Sequence, residues 1–207
     1  MDQPEATVVT SSLAAFIPGV SIEQRRAVKL AALWAESTTF KSMAGESHQQ
    51  QYAFYRRQLQ YLGWDALSAE AVHWPDRQRP VIVDQALKRI DALAGEQHAS
   101  SMALALRALR KSGPPLLHFE SHCGQRGRFQ LLTCAPVSRN YVDMVLYHEA
   151  GEVEAFSAGF LFRERRNTQV QAQLVRFNCR LFEQEHRSKV ERALAGIGLK
   201  DVHELAL

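Results

Sequence analysis

The sequence changes texture once, at Gly113-Pro114-Pro115, and that break does most to limit what the chain can fold into. Before it, apolar residues recur at helical spacing. After it come short segments with strand-like alternation, then a longer helical pattern. A junction this short cannot act as a free linker, so residues 1–113 and 114–207 are expected to form one domain.

The first part reads as four helices. Ser21-Ile22-Glu23-Gln24 has the form of a capping box, in which the Ser21 hydroxyl takes a backbone amide and Gln24 reaches back to the Ser21 amide. Ile22, Val28, Leu30, Ala31, Leu33 and Trp34 then mark one helix, with a polar loop over 37–48. A second helix is expected over 49–62, stopped by Gly63 in a left-handed conformation. Its Tyr52, Tyr55, Leu59 and Leu62 share a face. Residues 74–80 form a loop bracketed by prolines, and Pro80 suits a first helical position. Val83, Ala86, Leu87, Ile90 and Leu93 mark a third helix ended by Gly95. A fourth over 98–111 carries Met102, Ala105, Leu106 and Leu109, with Arg107, Arg110 and Lys111 placed where the helix dipole favours cations.

Beyond the junction, segments 116–122, 127–134, 141–147 and 155–162 are rich in Phe, Leu, Val and Tyr and are separated by turn material, including Gly124-Gln125-Arg126-Gly127. Connections this short exclude crossover helices, which predicts an antiparallel meander. Over 167–194, Val170, Leu174, Phe177 and Leu181 step by four, three and four, the spacing of one long helix; the stripe resumes at Val190, Leu194 and Ile197. The expected class is α+β: a helical N-terminal half, a four-stranded antiparallel meander, and a long C-terminal helix packed on the sheet.

Composition narrows the function classes. With 46% hydrophobic and 23% charged residues the chain can bury a core, which excludes an intrinsically disordered protein. A net charge of only +3 argues against a polyanion-binding surface. The Arg163, Arg165, Arg166, Arg176, Arg180 and Arg187 series is interleaved with Glu164, Glu183, Glu185 and Glu191, so no nucleic-acid partner is expected. No apolar run approaches the roughly 20 residues that cross a bilayer. The start of the chain has no basic stretch followed by an apolar one, so the expectation is a cytoplasmic protein. Cys123, Cys134 and Cys179 form no paired motif and fit a reducing compartment.

Most catalytic patterns are absent: there is no Gly-x-Ser-x-Gly elbow, no P-loop and no Gly-x-Gly-x-x-Gly. Cys123 beside His122 would point to the opposite strand face. His118-Phe119-Glu120-Ser121-His122 is the sharpest constellation. On a strand, alternation sets His118, Glu120 and His122 on one face, a set able to ligate zinc or iron, with His148 as a further ligand and Glu149 as a base. The competing account is a solvated strand face without cofactor.

The densest feature is aromatic. Tyr52, Phe54, Tyr55, Tyr61 and Trp64 fall within thirteen residues, more than one helix face can bury, beside Arg56 and Arg57. An exposed aromatic and arginine surface has the composition of a protein interface, and Phe177 and Arg180 on the last helix form a second candidate surface. Leu30-Ala31-Ala32-Leu33-Trp34, followed by Tyr52-x-x-Tyr55-x-x-x-Leu59-x-x-Leu62-Gly63-Trp64, resembles a group of small bacterial proteins, common in pseudomonads, that share an aromatic helix ending in Gly-Trp. The resemblance covers about half the chain and implies a bacterial source. That group has no established activity, so it carries no site residue across. The leading expectation is a non-enzymatic assembly protein, binding a protein partner or itself through Tyr52, Phe54, Tyr55, Arg56, Tyr61, Trp64, Phe177 and Arg180. The alternative is a metal-dependent enzyme built on His118, Glu120 and His122.

Overall fold

The computed structural model describes residues 5–73, 81–163, 168–195 and 201–207. The chain opens with a hairpin, β1 (Glu5–Val9) and β2 (Ser12–Phe16), followed by α1 (Ile22–Ser42) and α2 (His48–Tyr61). Two short strands, β3 (Trp64–Ala66) and β4 (Ala71–His73), precede α3 (Ile82–Ala94), α4 (Glu96–Lys111) and α5 (Gly113–Arg126). Then come β5 (Arg128–Ser138), β6 (Tyr141–Ala150), two 3₁₀ turns (Val153–Phe156 and Phe160–Phe162) and β7 (Gln169–Asn178). A helical stretch follows as α6 (Cys179–Leu181), a π-helical turn (Phe182–His186) and α7 (Arg187–Leu194); β8 (Val202–Leu205) closes the chain.

All eight strands join one mixed sheet in the order β3-β7-β6-β5-β2-β1-β8, with β4 also paired to β7. Only β2 and β5 run parallel, Ser12 opposite Gln130 through Phe16 opposite Cys134, and helices α1 to α5 lie in the connection between them. Helices cover both faces. Leu132, Cys134, Met144, Leu146 and Phe177 pack under α1, α2 and α7. Phe129, Leu131, Val145, Tyr147 and Ala172 pack under α3, α4 and α5. The alternation along β5 therefore feeds two cores, one on each side of the sheet.

The four-stranded antiparallel meander is thus corrected to an eight-stranded mixed sheet. Four of its strands come from the half read as helical. The β1–β2 turn, Thr10-Ser11, has no glycine, asparagine or aspartate to announce it, and Thr10 takes a positive φ of 51° in spite of its branched side chain. Segment 116–122 is helical: Pro114 and Pro115 occupy the first turn of α5, where a missing amide costs nothing, so they start a helix instead of ending one. Segment 155–162 makes 3₁₀ turns, not a strand. The long C-terminal helix is also corrected. Residues 169–174 read Gln-Val-Gln-Ala-Gln-Leu, a strict alternation, and they form an interior strand beside β6; helix begins only at Cys179.

The Ser21 capping box forms, Gln24 N donating to Ser21 Oγ at 3.3 Å and Ser21 N to Gln24 Oε1 at 3.0 Å, but α1 continues through Ser42 into the segment read as loop. Gly63 takes φ 97° just past the end of α2. Gly127 ends α5 at φ 60° and is not part of a hairpin turn. A Cβ there would stand 2.8 Å from the Gly151 carbonyl oxygen, a clash with backbone that only glycine avoids. The 74–80 loop, Glu164, Arg165, Arg166, Asn167 and Ile197 lie outside the described residues. Among the described residues no helix is long and apolar enough to cross a membrane.

Candidate metal centre

Because 116–126 is helical, the His118-x-Glu120-x-His122 face predicted for a strand does not exist. Phe119 and Cys123 turn into the lower core. Glu120 points away from the histidines and accepts the Gly159 amide at 2.7 Å. His118, His122 and Arg126, four residues apart, form a ridge on α5. The ridge faces the start of β8. Asp201 Oδ1 lies 3.9 Å from His118 Nε2 and 3.9 Å from His122 Nε2. Ligand atoms of these three residues all fall within 4.8 Å of one another, the one such group of histidine, cysteine and carboxylate side chains among the described residues. The His118 and His122 rings stand 4.4 Å apart, and the His203 ring meets the His118 ring edge-on at 4.3 Å.

Several nitrogens of this cluster, His118 Nε2, His122 Nδ1 and His203 Nε2, are buried without a hydrogen-bond partner. Burial, then the neighbouring His122 and His203 charges, push the His118 pKa down to about 4. Burial and the Arg126 guanidinium lower that of His122. Both rings are therefore neutral near pH 7, the form that binds a metal.

Both halves of the cluster are held by one residue. Glu36 sits on the buried stripe of α1 between Ala32 and Thr39 and is 0% exposed. Its carboxylate accepts the Thr10 and Ser12 hydroxyls, the Ser11 hydroxyl at 2.8 Å and the Ser11 amide at 3.3 Å, and pairs with the Arg126 guanidinium. Arg126 is one turn beyond His122, so this pair fixes the end of α5 that carries the histidines. Thr10 N in turn donates to the Asp201 carbonyl at 3.0 Å, which fixes the start of β8. The strained φ of Thr10 is thus tied to the site, as strain near functional groups often is.

Behind Glu36 a buried polar layer extends across the upper sheet face. Arg128 bonds Gln51, and Ser12 donates to Gln130 at 3.2 Å. His148 stacks on Tyr52 with ring centroids 4.2 Å apart. His148 therefore belongs to this layer and is not placed among the α5 histidines. Glu149, considered as a base, accepts the Tyr147 and Thr168 hydroxyls, each at 2.7 Å, on the other face of the sheet.

The residues expected to form an interaction surface divide in two. Tyr52, Tyr55, Trp64 and Phe177 are buried within the chain, Trp64 against Phe177 at 5.3 Å. Arg56 is half-buried and pairs with Glu70 at 2.9 Å, and half-buried Phe54 lies under Arg57. Tyr61 and Arg180 are exposed, and the Tyr61 hydroxyl accepts from Lys189 at 2.9 Å. Sequence reasoning missed Glu36, Arg126, Asp201 and His203. An acidic residue in the apolar stripe of α1 was the legible sign of the first. Asp201, just before β8, and His203, within it, had no partner visible nearby in the sequence.

No family model matches this sequence, and no curated protein matches it. Among solved structures the chain is similar to that described as the structure of the Evf virulence factor, at 12% identity over 91% of this chain and 82% of that one, with a TM-score of 0.41. A likeness that distant carries no functional argument.

The buried His148 makes stability depend on pH. Burial, then the Arg128 and His48 charges, hold its pKa well below the usual 6.5; Tyr52 covers its ring. Between those two values the unfolded chain binds the extra proton and the folded chain does not, so stability rises with pH and is lost as pH falls below about 6.5. Urea midpoints measured from about pH 7.5 to about pH 5.5 should fall more steeply for the native protein than for His148→Phe, which keeps a ring on Tyr52. Equal slopes would contradict this account of His148.

Proposed function

We propose that this chain is a metal-binding protein whose centre is formed by His118 and His122 of α5 and Asp201 at the head of β8. One observation carries the reading: two imidazoles from a helix and the carboxylate of the residue before β8 converge, with ligand atoms within 4.8 Å and the His118 Nε2 that faces Asp201 buried without a hydrogen-bond partner. Nitrogen and oxygen donors of this kind suit zinc or ferrous iron. Around a tetrahedral zinc ion with bonds of ~2.1 Å, ligand atoms stand about 3.4 Å apart. The 3.9 Å separations to Asp201 need only small side-chain adjustments to reach that. Glu36 acts as the outer partner that orients both elements, a role that second-layer groups commonly fill around metals.

Zinc titrated into chelator-treated protein against a chromophoric competitor should saturate at one equivalent. His118→Ala should abolish stoichiometric binding. Glu36→Gln, checked for fold by circular dichroism, should weaken it about 10–100-fold, the usual cost of losing an outer partner. A folded native chain that takes up no stoichiometric zinc, iron or manganese would overturn the reading.

An interaction role is supported by a different observation. The outward remainder of the aromatic helix, Tyr61, meets the His186 ring at a tilt with centroids 4.7 Å apart, and exposed Leu181 and Arg180 lie on the neighbouring α6. Tyrosine and arginine, the residue types enriched at interfaces, beside an exposed leucine fit a small self-association surface. Light scattering behind a sizing column, over a wide concentration range, should then show a defined oligomer that Tyr61→Ala converts to monomer. A monomer at every concentration would contradict self-association.

A further inference from the structure

Resting on the metal-centre reading, we propose that His203 is a fourth ligand, so that the ion is enclosed by His118 and His122 from α5, Asp201 just before β8 and His203 within it, and acts as a clasp on that strand.

Asp201 is the residue just before β8, and alternation within the strand sends His203 to one side and Val202 and Glu204 to the other. The structure shows both sides. Asp201 and His203 meet the α5 histidines, while Val202 and Glu204 line a groove of about 730 Å³ with Ile22, Leu30, Leu33 and Leu194. His203 Nε2 is buried without a hydrogen-bond partner, and its ring already touches that of His118 at 4.3 Å. A helix offers ligands four residues apart on one face, and a strand offers them two apart. The two pairs brought edge to edge supply four donors, the number a closed zinc site takes.

The strand has reason to need such a fastening. β8 is a four-residue edge strand that pairs, among the described residues, with β1 alone, from Ala6 opposite Leu205 to Val9 opposite Val202. Its side-chain holds include the Lys29–Glu204 pair at 3.0 Å, which involves an exposed carboxylate, the burial of Leu205, Val202 packed against the core and the ring contact of His203 with His118. An exposed ion pair contributes little. A metal bound by residues 201 and 203 fixes the strand directly and, through Val202 and Glu204, one wall of the groove. Filling the fourth position with His203 also makes the ion a structural element, because the Lewis-acid chemistry of zinc needs a position open to water or substrate.

Cobalt(II) in place of zinc reports coordination number through the intensity of its visible bands, which are strong for four ligands and weak for five or six. The full-length native protein should give an intense four-coordinate spectrum, and metal should slow hydrogen exchange at the β8 amides. In His203→Ala, folded by circular dichroism, the bands should weaken, and affinity should fall by more than the roughly 10–100-fold that loss of an outer partner costs. His203→Cys, as a gain-of-signal control, should add a thiolate-to-cobalt charge-transfer band in the near ultraviolet. Native cobalt binding left unchanged by His203→Ala, with no charge-transfer band in His203→Cys, would overturn the fourth ligand and leave the three-residue centre standing. No cobalt binding by the native chain would overturn both.

Discussion

The carboxylate of Glu36 is fully buried in the middle of a helix, and one end of the molecule is assembled around it. A lone carboxylate in that position would cost several kcal/mol to desolvate, so the fold has to bring it donors. It does so with three successive hydroxyls from the β1–β2 turn and a guanidinium from the end of α5. The arrangement ties the first hairpin, the first helix and the fifth helix to a single point. Removing one partner of a buried ion pair typically destabilises by about 3–5 kcal/mol, because the other charge is left uncompensated. The pair therefore specifies how these elements meet, even though a well-packed apolar substitute for both partners could be equally stable.

The functional proposal inherits its geometry from that point. Arg126 orients the ridge bearing His118 and His122; Thr10 passes the constraint through one backbone hydrogen bond to Asp201. Residues from elements far apart in the sequence are thus positioned by Glu36, which bonds to neither the histidines nor the Asp201 carboxylate directly. The sheet provides the remaining rigidity. Both of its faces are covered, and β1, which carries β8, is paired along its other edge with β2 and through it with β5. A metal at the α5–β8 junction would link this interior framework to a short edge strand.

Some of this was legible in the sequence. The capping box at Ser21, the helix stop at Gly63 and the periodicity behind Ile90 and Met102 are local signals, and local signals determined those elements. The strands were harder to read for separate physical reasons. β1 and β2 are built mainly from Ala, Val, Ser and Thr, with a turn whose side chains are held by long-range hydrogen bonds to Glu36. In β7, Val170 and Leu174 satisfy helical and strand periods alike, and the glutamines between them are the sign that decides. The His-x-Glu-x-His motif was seen, but its meaning depended on local conformation: as a strand it joins His118 to Glu120, as a helix it joins His118 to His122. The carboxylate that completes the group comes from the far end of the chain, where no pattern points to it.

The account stands or falls on a metal ion between α5 and β8. The most direct test is a crystal of protein purified without chelator, with diffraction recorded on both sides of the zinc absorption edge and at the iron edge. The account predicts one anomalous peak, within about 2.2 Å of nitrogens of His118 and His122 and of an Asp201 oxygen. A well-ordered α5–β8 junction from protein supplied with metal, showing no such peak and with the histidine nitrogens bonded to protein groups instead, would contradict it.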